Sequence, residues 1–250
     1  MKISIITVVY NNKELIAACI ESVLSQSYQY LEYIIIDGGS TDGTIDIIKS
    51  YGSKISKFIS EKDEGIYDAM NKGILLATGD VIGFLNSDDL YSHNNVVKSV
   101  MDIFKEKRID SVFGDLIYVS KNDTQKIVRY WKSCPYKEGA FSRGWYPAHP
   151  TFFVRSDVYK NFGLFKLKYK IAADYELMLR FFEIYKISSE YLDQILVKMR
   201  LGGASNKNIM SVIRLNIESY MSWSDNNMHC PPLMFIHKFL SRFKQLCYRK

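Results

Sequence analysis

Several protein classes are excluded by what this sequence lacks. Its cysteines, Cys19, Cys134, Cys230 and Cys247, are scattered and form no CxxC pair. That leaves neither a zinc-binding pattern nor a disulfide framework, and core or incidental thiols are expected. No apolar run reaches the ~18 residues that a membrane-spanning helix requires. The first residues run straight into a strand pattern, without a separate signal segment, so a cytosolic, reducing location is expected. Neither the GxGxxG order of a dinucleotide site nor a GxxxxGK[ST] phosphate loop occurs. Internal repeats and low-complexity stretches are missing. No basic-aromatic stripe marks a nucleic-acid partner.

The 250 residues are 47% hydrophobic, enough for one substantial core with a small appendage. The net charge of +6 is uneven. Residues 235–250 hold Lys238, Arg242, Lys244, Arg249 and Lys250 and no acid. Phe235, Phe239, Phe243 and Leu246 fall near helical spacing among them. Two readings stay open: a basic amphipathic helix on an anionic membrane surface, or a helix packed on the domain with a solvated basic face.

Residues 3–10 are almost wholly apolar and β-branched, the pattern of a central strand buried on both faces. Residues 13–26 carry Leu15, Ile16, Cys19, Ile20, Val23 and Leu24 at helical spacing. Residues 33–36, 55–60 and 81–85 predict strands, and 44–51, 66–77 and 94–107 predict helices. Strand and helix thus alternate four times in the first 108 residues, which implies an α/β fold with a mostly parallel sheet flanked by helices. Later the rhythm changes. Residues 111–118, 126–131 and 152–154 read as strands, 156–162 and 172–185 as helices, and 187–200 as mixed. A long helix is expected over 206–223, with Ile209, Val212, Ile213, Ile217 and Tyr220 on one face. Cys230-Pro231-Pro232 then breaks the chain before a last helix. The expected division is one domain over 1–205 and a helical tail over 206–250.

Two runs follow apolar strands directly: Asp37-Gly38-Gly39-Ser40-Thr41-Asp42-Gly43-Thr44 and Asn86-Ser87-Asp88-Asp89. In open α/β sheets, ligands bind where strands end. A carboxylate fixed there can accept hydrogen bonds from a base or a ribose. Adjacent acids repel unless a counterion joins them. Mg²⁺ or Mn²⁺ suits, because it takes one or two carboxylates and completes its shell with phosphate oxygens and water. Taken alone, each run also reads as a capped, solvated turn.

Together with two further segments, these runs resemble the nucleotide-sugar glycosyltransferases of family 2, which have the GT-A fold. Thr7-Val8-Val9-Tyr10-Asn11 looks like the family's opening strand and its end. The Asp37–Thr44 run is close to its second motif. Asp63-Glu64-Gly65-Ile66-Tyr67-Asp68-Ala69-Met70-Asn71-Lys72-Gly73 looks like its third. Gly79-Asp80 with Leu85-Asn86-Ser87-Asp88-Asp89 looks like the strand that carries the DxD acids. The resemblance is strong over residues 3–90 and weaker to about residue 200. It implies a nucleotide-binding half over 1–108 and an acceptor half over 109–205.

By the same resemblance, Thr7, Tyr10, Asn11, Asp37, Asp63, Asp68, Lys72, Asn86 and Asp88 would bind the nucleotide sugar, Tyr10 and Asp37 by holding the base. Lys72 would neutralise phosphate, or merely pair with Asp68 four residues before it. Asp88 and Asp89 would hold the metal. His149, in a stiff loop of aromatics and prolines, would touch metal, diphosphate or acceptor, or serve as a structural histidine. Ile171-Ala172-Ala173-Asp174-Tyr175-Glu176-Leu177 resembles the family's segment for the catalytic base, with Asp174 favoured over Glu176. Two departures stand out: Asn86 replaces the first acid of the DxD motif, and Ala173 replaces the acid before Asp174. Gly202-Gly203-Ala204-Ser205 would be a loop closing over the donor, or a linker.

The implied activity is inverting transfer of a sugar, of the hexosyltransferase type, from a nucleoside diphosphate sugar to a hydroxyl. UDP is the favoured nucleotide by resemblance. A glycan or lipid-linked acceptor of bacterial surface polysaccharide synthesis is expected, at the cytoplasmic face of the membrane. No QxxRW-like motif is present, so a processive synthase is not expected. Two alternatives are a nucleotidyltransferase and a non-catalytic nucleotide-sugar binder docked at a membrane.

Overall fold

The computed structural model of the chain describes residues 1–202, 209–234 and 236. The 205/206 boundary, the loop residues Gly203, Ala204 and Ser205, and the basic helix over 235–250 (Ile236 apart) lie outside the described residues.

The first half alternates as its pattern dictates. β1 (Ile3–Val9), α1 (Ile16–Leu24), β2 (Leu31–Asp37), α2 (Thr44–Ser50), β3 (Lys57–Ser60), α3 (Ile66–Leu76) and β4 (Val81–Phe84) follow in order. The four strands are parallel, in the order β3-β2-β1-β4. Every residue of β1 is buried, and side chains alternate between two cores. Ile6 and Val8 pack towards α3, whereas Ile3 and Ile5 pack in the core that includes α1. α1 starts later than the apolar spacing predicts: residues 13–15 form a turn in which the Leu15 and Ile16 N–H groups both reach the Asn12 carbonyl, at 3.3 and 3.1 Å.

The second half is mixed. β5 (Leu90–Tyr91), α4 (Val96–Glu106), β6 (Ser111–Val119), β7 (Ile127–Trp131), β8 (Phe153–Arg155), α5 (Ser156–Phe162), α6 (Ala173–Leu179), β9 (Ser189–Arg200) and α7 (Ile209–Ser224) complete the described elements. β8 joins β4 to β6 through antiparallel pairs. β6 runs parallel to β9, which carries β5 on its far edge. β7 hangs antiparallel on β6.

Two expectations change here. The helix expected over 172–185 leaves α geometry after Leu179 and widens into a π turn over Arg180–Ile184. There the Arg180 guanidinium is drawn to Glu176, Phe162 and Leu164. The mixed stretch 187–200 is one long strand, β9. Its register slips beside Gly114 and Asp115, which blurs the alternation in sequence.

α7 packs against α6. Glu218 accepts N–H bonds from Lys170, Ile171 and Ala172, and the Trp223 indole donates to the Tyr175 hydroxyl at 3.0 Å. Among the described residues, no helix is long and apolar enough to cross a membrane.

Candidate active site

Parallel pairing puts the ends of β1, β2 and β4 on one edge, with Val9 beside Asp37 and Ile6 beside Phe84. The loops there are tied to one another. Asp37 is fully buried and accepts from the N–H groups of Gly39 and Ser40 and the hydroxyls of Ser40 and Ser60. Asn11 sits at φ 46°. That left-handed turn lets its amide oxygen accept from Thr41 at 2.8 Å while its own N–H donates to Ser40 Oγ at 2.7 Å. Asn12 Nδ2 donates to Ser87 Oγ at 3.0 Å, joining the β1 loop to the acid loop.

Base-side residues divide accordingly. Tyr10 is 64% exposed at the end of β1. A methyl group built on Gly38 would meet Asp63 Oδ2 at 2.5 Å and the Tyr10 ring at 3.4 Å. Tyr10, Gly38 and Asp63 therefore converge around one opening. Asp37 is shut off from solvent, and its oxygens accept from its own turn and from Ser60. Thr7 is also turned away: it is wholly buried and bonded to Tyr33 and Cys19. Asp68 and Lys72 form a strut with Glu61. The Lys72 ammonium pairs with Glu61 at 2.7 Å and Asp68 at 3.4 Å, and the Glu61 hydrogen bond holds its pKa above the ordinary lysine value.

The acid loop after β4 is desolvated. Burial raises the Asp88 carboxyl above the usual carboxylate range. It pushes Asp89 well above that range, and the charge of Asp88 adds to the effect. Asp89 Oδ1 and Asn86 Oδ1 are buried without a donor. Two desolvated acids and two unpartnered oxygens form a donor set that a hard divalent cation fits. Among the described residues, however, no three acids, histidines or cysteines gather as a metal cage. The expected trio of Asp88, Asp89 and His149 is therefore not one site, and a cation there needs further oxygens from diphosphate and water.

Arg200, which the motifs did not single out, approaches from β9. Its guanidinium donates to the Asp88 carbonyl at 2.7 Å, and its Nε is buried without an acceptor. The pairing of β5 with β9 puts it there, and nothing local in the sequence marks that contact.

A cleft of about 190 Å³ opens beside this loop. Its lining includes Tyr67 and Met70 of α3, Asn86, Trp145, Tyr146, His149, Asp174 and Tyr175, and it continues over β6 and β7. Asp174 lies in the first turn of α6 and is half-buried. Its Oδ1 accepts from the Tyr67 hydroxyl at 3.2 Å and the Tyr175 N–H at 2.8 Å. The Tyr67 hydroxyl shares its one proton between Asp174 and the Ile171 carbonyl, 2.7 Å away, so α3 fixes the loop that presents the acid. Glu176 faces away. It is fully buried among Arg180, Lys166 and Asn226. His149 is buried against Phe84 and Phe165, with Nε2 unpartnered. Burial lowers its pKa below the usual histidine value, against the pull of Asp174, so it is neutral at pH 7.

Similarity to known proteins agrees with this architecture. The sequence pattern described as glycosyl transferase family 2 matches residues 4–158. A PGL/p-HBAD biosynthesis glycosyltransferase of Mycobacterium bovis is 30% identical over 208 residues, covering 81% of this chain and 78% of that protein. Staphylococcus aureus TarS 1-349 in complex with UDP-GlcNAc superposes with a TM-score of 0.68 at 16% identity, covering 96% of this chain and 73% of that one. The chain spans 45% of the longer TarS chain. The mannosyltransferase PcManGT of Pyrobaculum calidifontis, solved with GDP-Man and Mn²⁺, gives 0.67 at 15% identity over 96% of this chain and 69% of that one. Four motifs at the ends of parallel strands, an acid at the start of α6 and this sequence match lead to one conclusion: the chain belongs to glycosyl transferase family 2 and is a glycosyltransferase of the GT-A fold.

Proposed function

We propose that the enzyme transfers a sugar from a nucleoside diphosphate sugar, UDP-linked by preference, to a hydroxyl of a glycan or lipid-linked acceptor, with inversion. The observation that carries this reading is the placement of Asp174 and Asn86 on one cleft, beside the acid pair Asp88-Asp89. Tyr10 stacks on the base, and Asp63 accepts from the base or ribose. Asp88 and Asp89 would hold Mg²⁺ or Mn²⁺, which when bound neutralises charge on the leaving diphosphate. Asp174 takes the acceptor's proton as the hydroxyl attacks the anomeric carbon. Tyr67 and the Tyr175 N–H keep one oxygen of that carboxylate engaged, which leaves the other for the acceptor. His149, neutral and buried, shapes the floor between donor and acceptor and carries no charge to the reaction.

A role in surface polysaccharide or glycolipid synthesis at the cytoplasmic face of the membrane fits this reading. The mycobacterial relative's name points the same way, and so do the basic residues beyond 237. The test is Asp174→Asn, an isosteric change. Turnover should fall about 10³-fold, while thermal stabilisation by UDP with Mn²⁺ stays within about 2 °C of wild type. Near-normal transfer by the variant would remove Asp174 from the role.

A further inference from the structure

The far wall of the cleft holds a cation that meets no hydrogen-bond acceptor among the described residues. Cross-strand register sets Met199, Tyr118 and Arg129 in one row, and Val197, Leu116 and Trp131 in the next. Side chains two apart along a strand share a face, and members of both rows line the cleft. The Arg129 guanidinium stacks over the Tyr118 ring at 3.6 Å from its centroid. It is half-buried, its Nε has no acceptor, and no carboxylate or carbonyl of the described residues pairs with it. The other arginines buried to this degree are all engaged: Arg155, Arg180 and Arg200 donate to protein oxygens. Lys132, next along the wall, is paired with Asp193 at 2.7 Å. Keeping a guanidinium partly out of water is costly unless an acceptor meets it. Stacking occupies its face and leaves its N–H edge for a planar or tetrahedral oxyanion.

Position separates this group from the donor. Arg129 lies over β6, and β9 and then β5 follow across the sheet. Two strand spacings, about 10 Å, therefore lie between it and the strand that follows Asp88-Asp89. That gap has room for a sugar ring between a diphosphate at the acids and a group at Arg129.

We propose that Arg129 binds an oxyanion, phosphate or carboxylate, carried by the acceptor. The acceptor is then an anionic glycan or a phosphate-linked glycolipid, with its sugar seated on the Trp131 and Tyr118 side of the cleft. This rests on reading the cleft as the acceptor site.

Glucose 1-phosphate, methyl glucuronide and methyl glucoside share a ring and differ in charge. Each is titrated calorimetrically into the full chain, with and without saturating UDP and Mn²⁺. The nucleotide blocks the donor's own phosphate contacts. Wild type should bind at least one anionic sugar about tenfold or more tighter than methyl glucoside. The phosphate and carboxylate arms tell which anion is preferred. Arg129→Gln should erase the preference, and Arg129→Lys should retain part of it. Equal binding of all three sugars by wild type overturns the proposal, as does a preference that survives in Arg129→Gln. A loss of UDP affinity in Arg129→Gln and Arg129→Lys, in parallel with the loss of sugar binding, overturns it too, by assigning Arg129 to the donor. Failure of wild type to bind UDP would overturn the donor reading instead, while the titrations without nucleotide still decide the role of Arg129.

Discussion

Two buried carboxylates, one in each half of the sheet, solve the same problem with different means. Asp37 closes β2 and is bonded to Gly39 and Ser40, two and three residues on, with Ser60 added from the next strand. Asp115 lies in the middle of β6, equally buried. It accepts from the hydroxyls of Tyr130 and Tyr191 and from the Ser133 N–H. One acid folds its own loop; the other pins together strands brought from far along the chain. The donor side of the enzyme is therefore built from local turns at strand ends, and the cleft side from long-range pairing.

That contrast can be broken by experiment. Asp37→Ala would strand two N–H groups and two hydroxyls, so stability in urea should drop by about 4 kcal/mol, with UDP binding lost alongside. Asp115→Ala should cost about 3 kcal/mol but leave UDP affinity unchanged wherever the protein is folded. Equal damage to UDP binding by both variants would mean that the halves are not separable.

Acid probes the parallel half through Glu32. Burial would raise the Glu32 carboxyl, but hydrogen bonds from Ser4, Thr78 and Lys2 outweigh it and hold the pKa at about 2. A carboxyl lowered by folding stabilises fully above its unfolded value, near 4.5. The gain is lost as pH falls through the folded value. Unfolding between pH 4.5 and 2 should show a loss of about 3 kcal/mol that Glu32→Gln does not share.

Gly38→Ala is the gentlest cut. The new methyl would press on the flexible end of Asp63. UDP affinity should weaken about tenfold, with less than about 1 kcal/mol lost in stability. Unchanged affinity would take Asp63 out of the base site.

The same contrast sets what the sequence makes legible. β1 to β4 and α1 to α3 were readable because parallel strands are continuous apolar runs punctuated by glycine and acid turns. Asp174 was singled out only by resemblance to a family segment, and the partners of Glu176, namely Lys166, Arg180 and Asn226, come from spacing that no local pattern marks as a cluster. β9 was not legible, since its slipped register mixes polar and apolar positions. Arg200, Tyr67 and Glu218 were missed for one reason: each acts across more than 45 residues of chain. Asp37 and Thr7 show the opposite case, since their partners lie inside their own turn and core. A motif fixes where a residue sits along the chain, but not whether its own turn or core has already consumed its hydrogen bonds.

Glu218 has a mechanical consequence. Burial alone would favour its neutral form, yet the converging N–H groups of residues 170–172, with Arg214, keep it readily ionised. A charged pin thus locks α7 to the segment that leads into Asp174. Load applied to α7 travels through that pin to the segment that leads into Asp174, and a chain cut before α7 would hold that carboxylate with a slack grip.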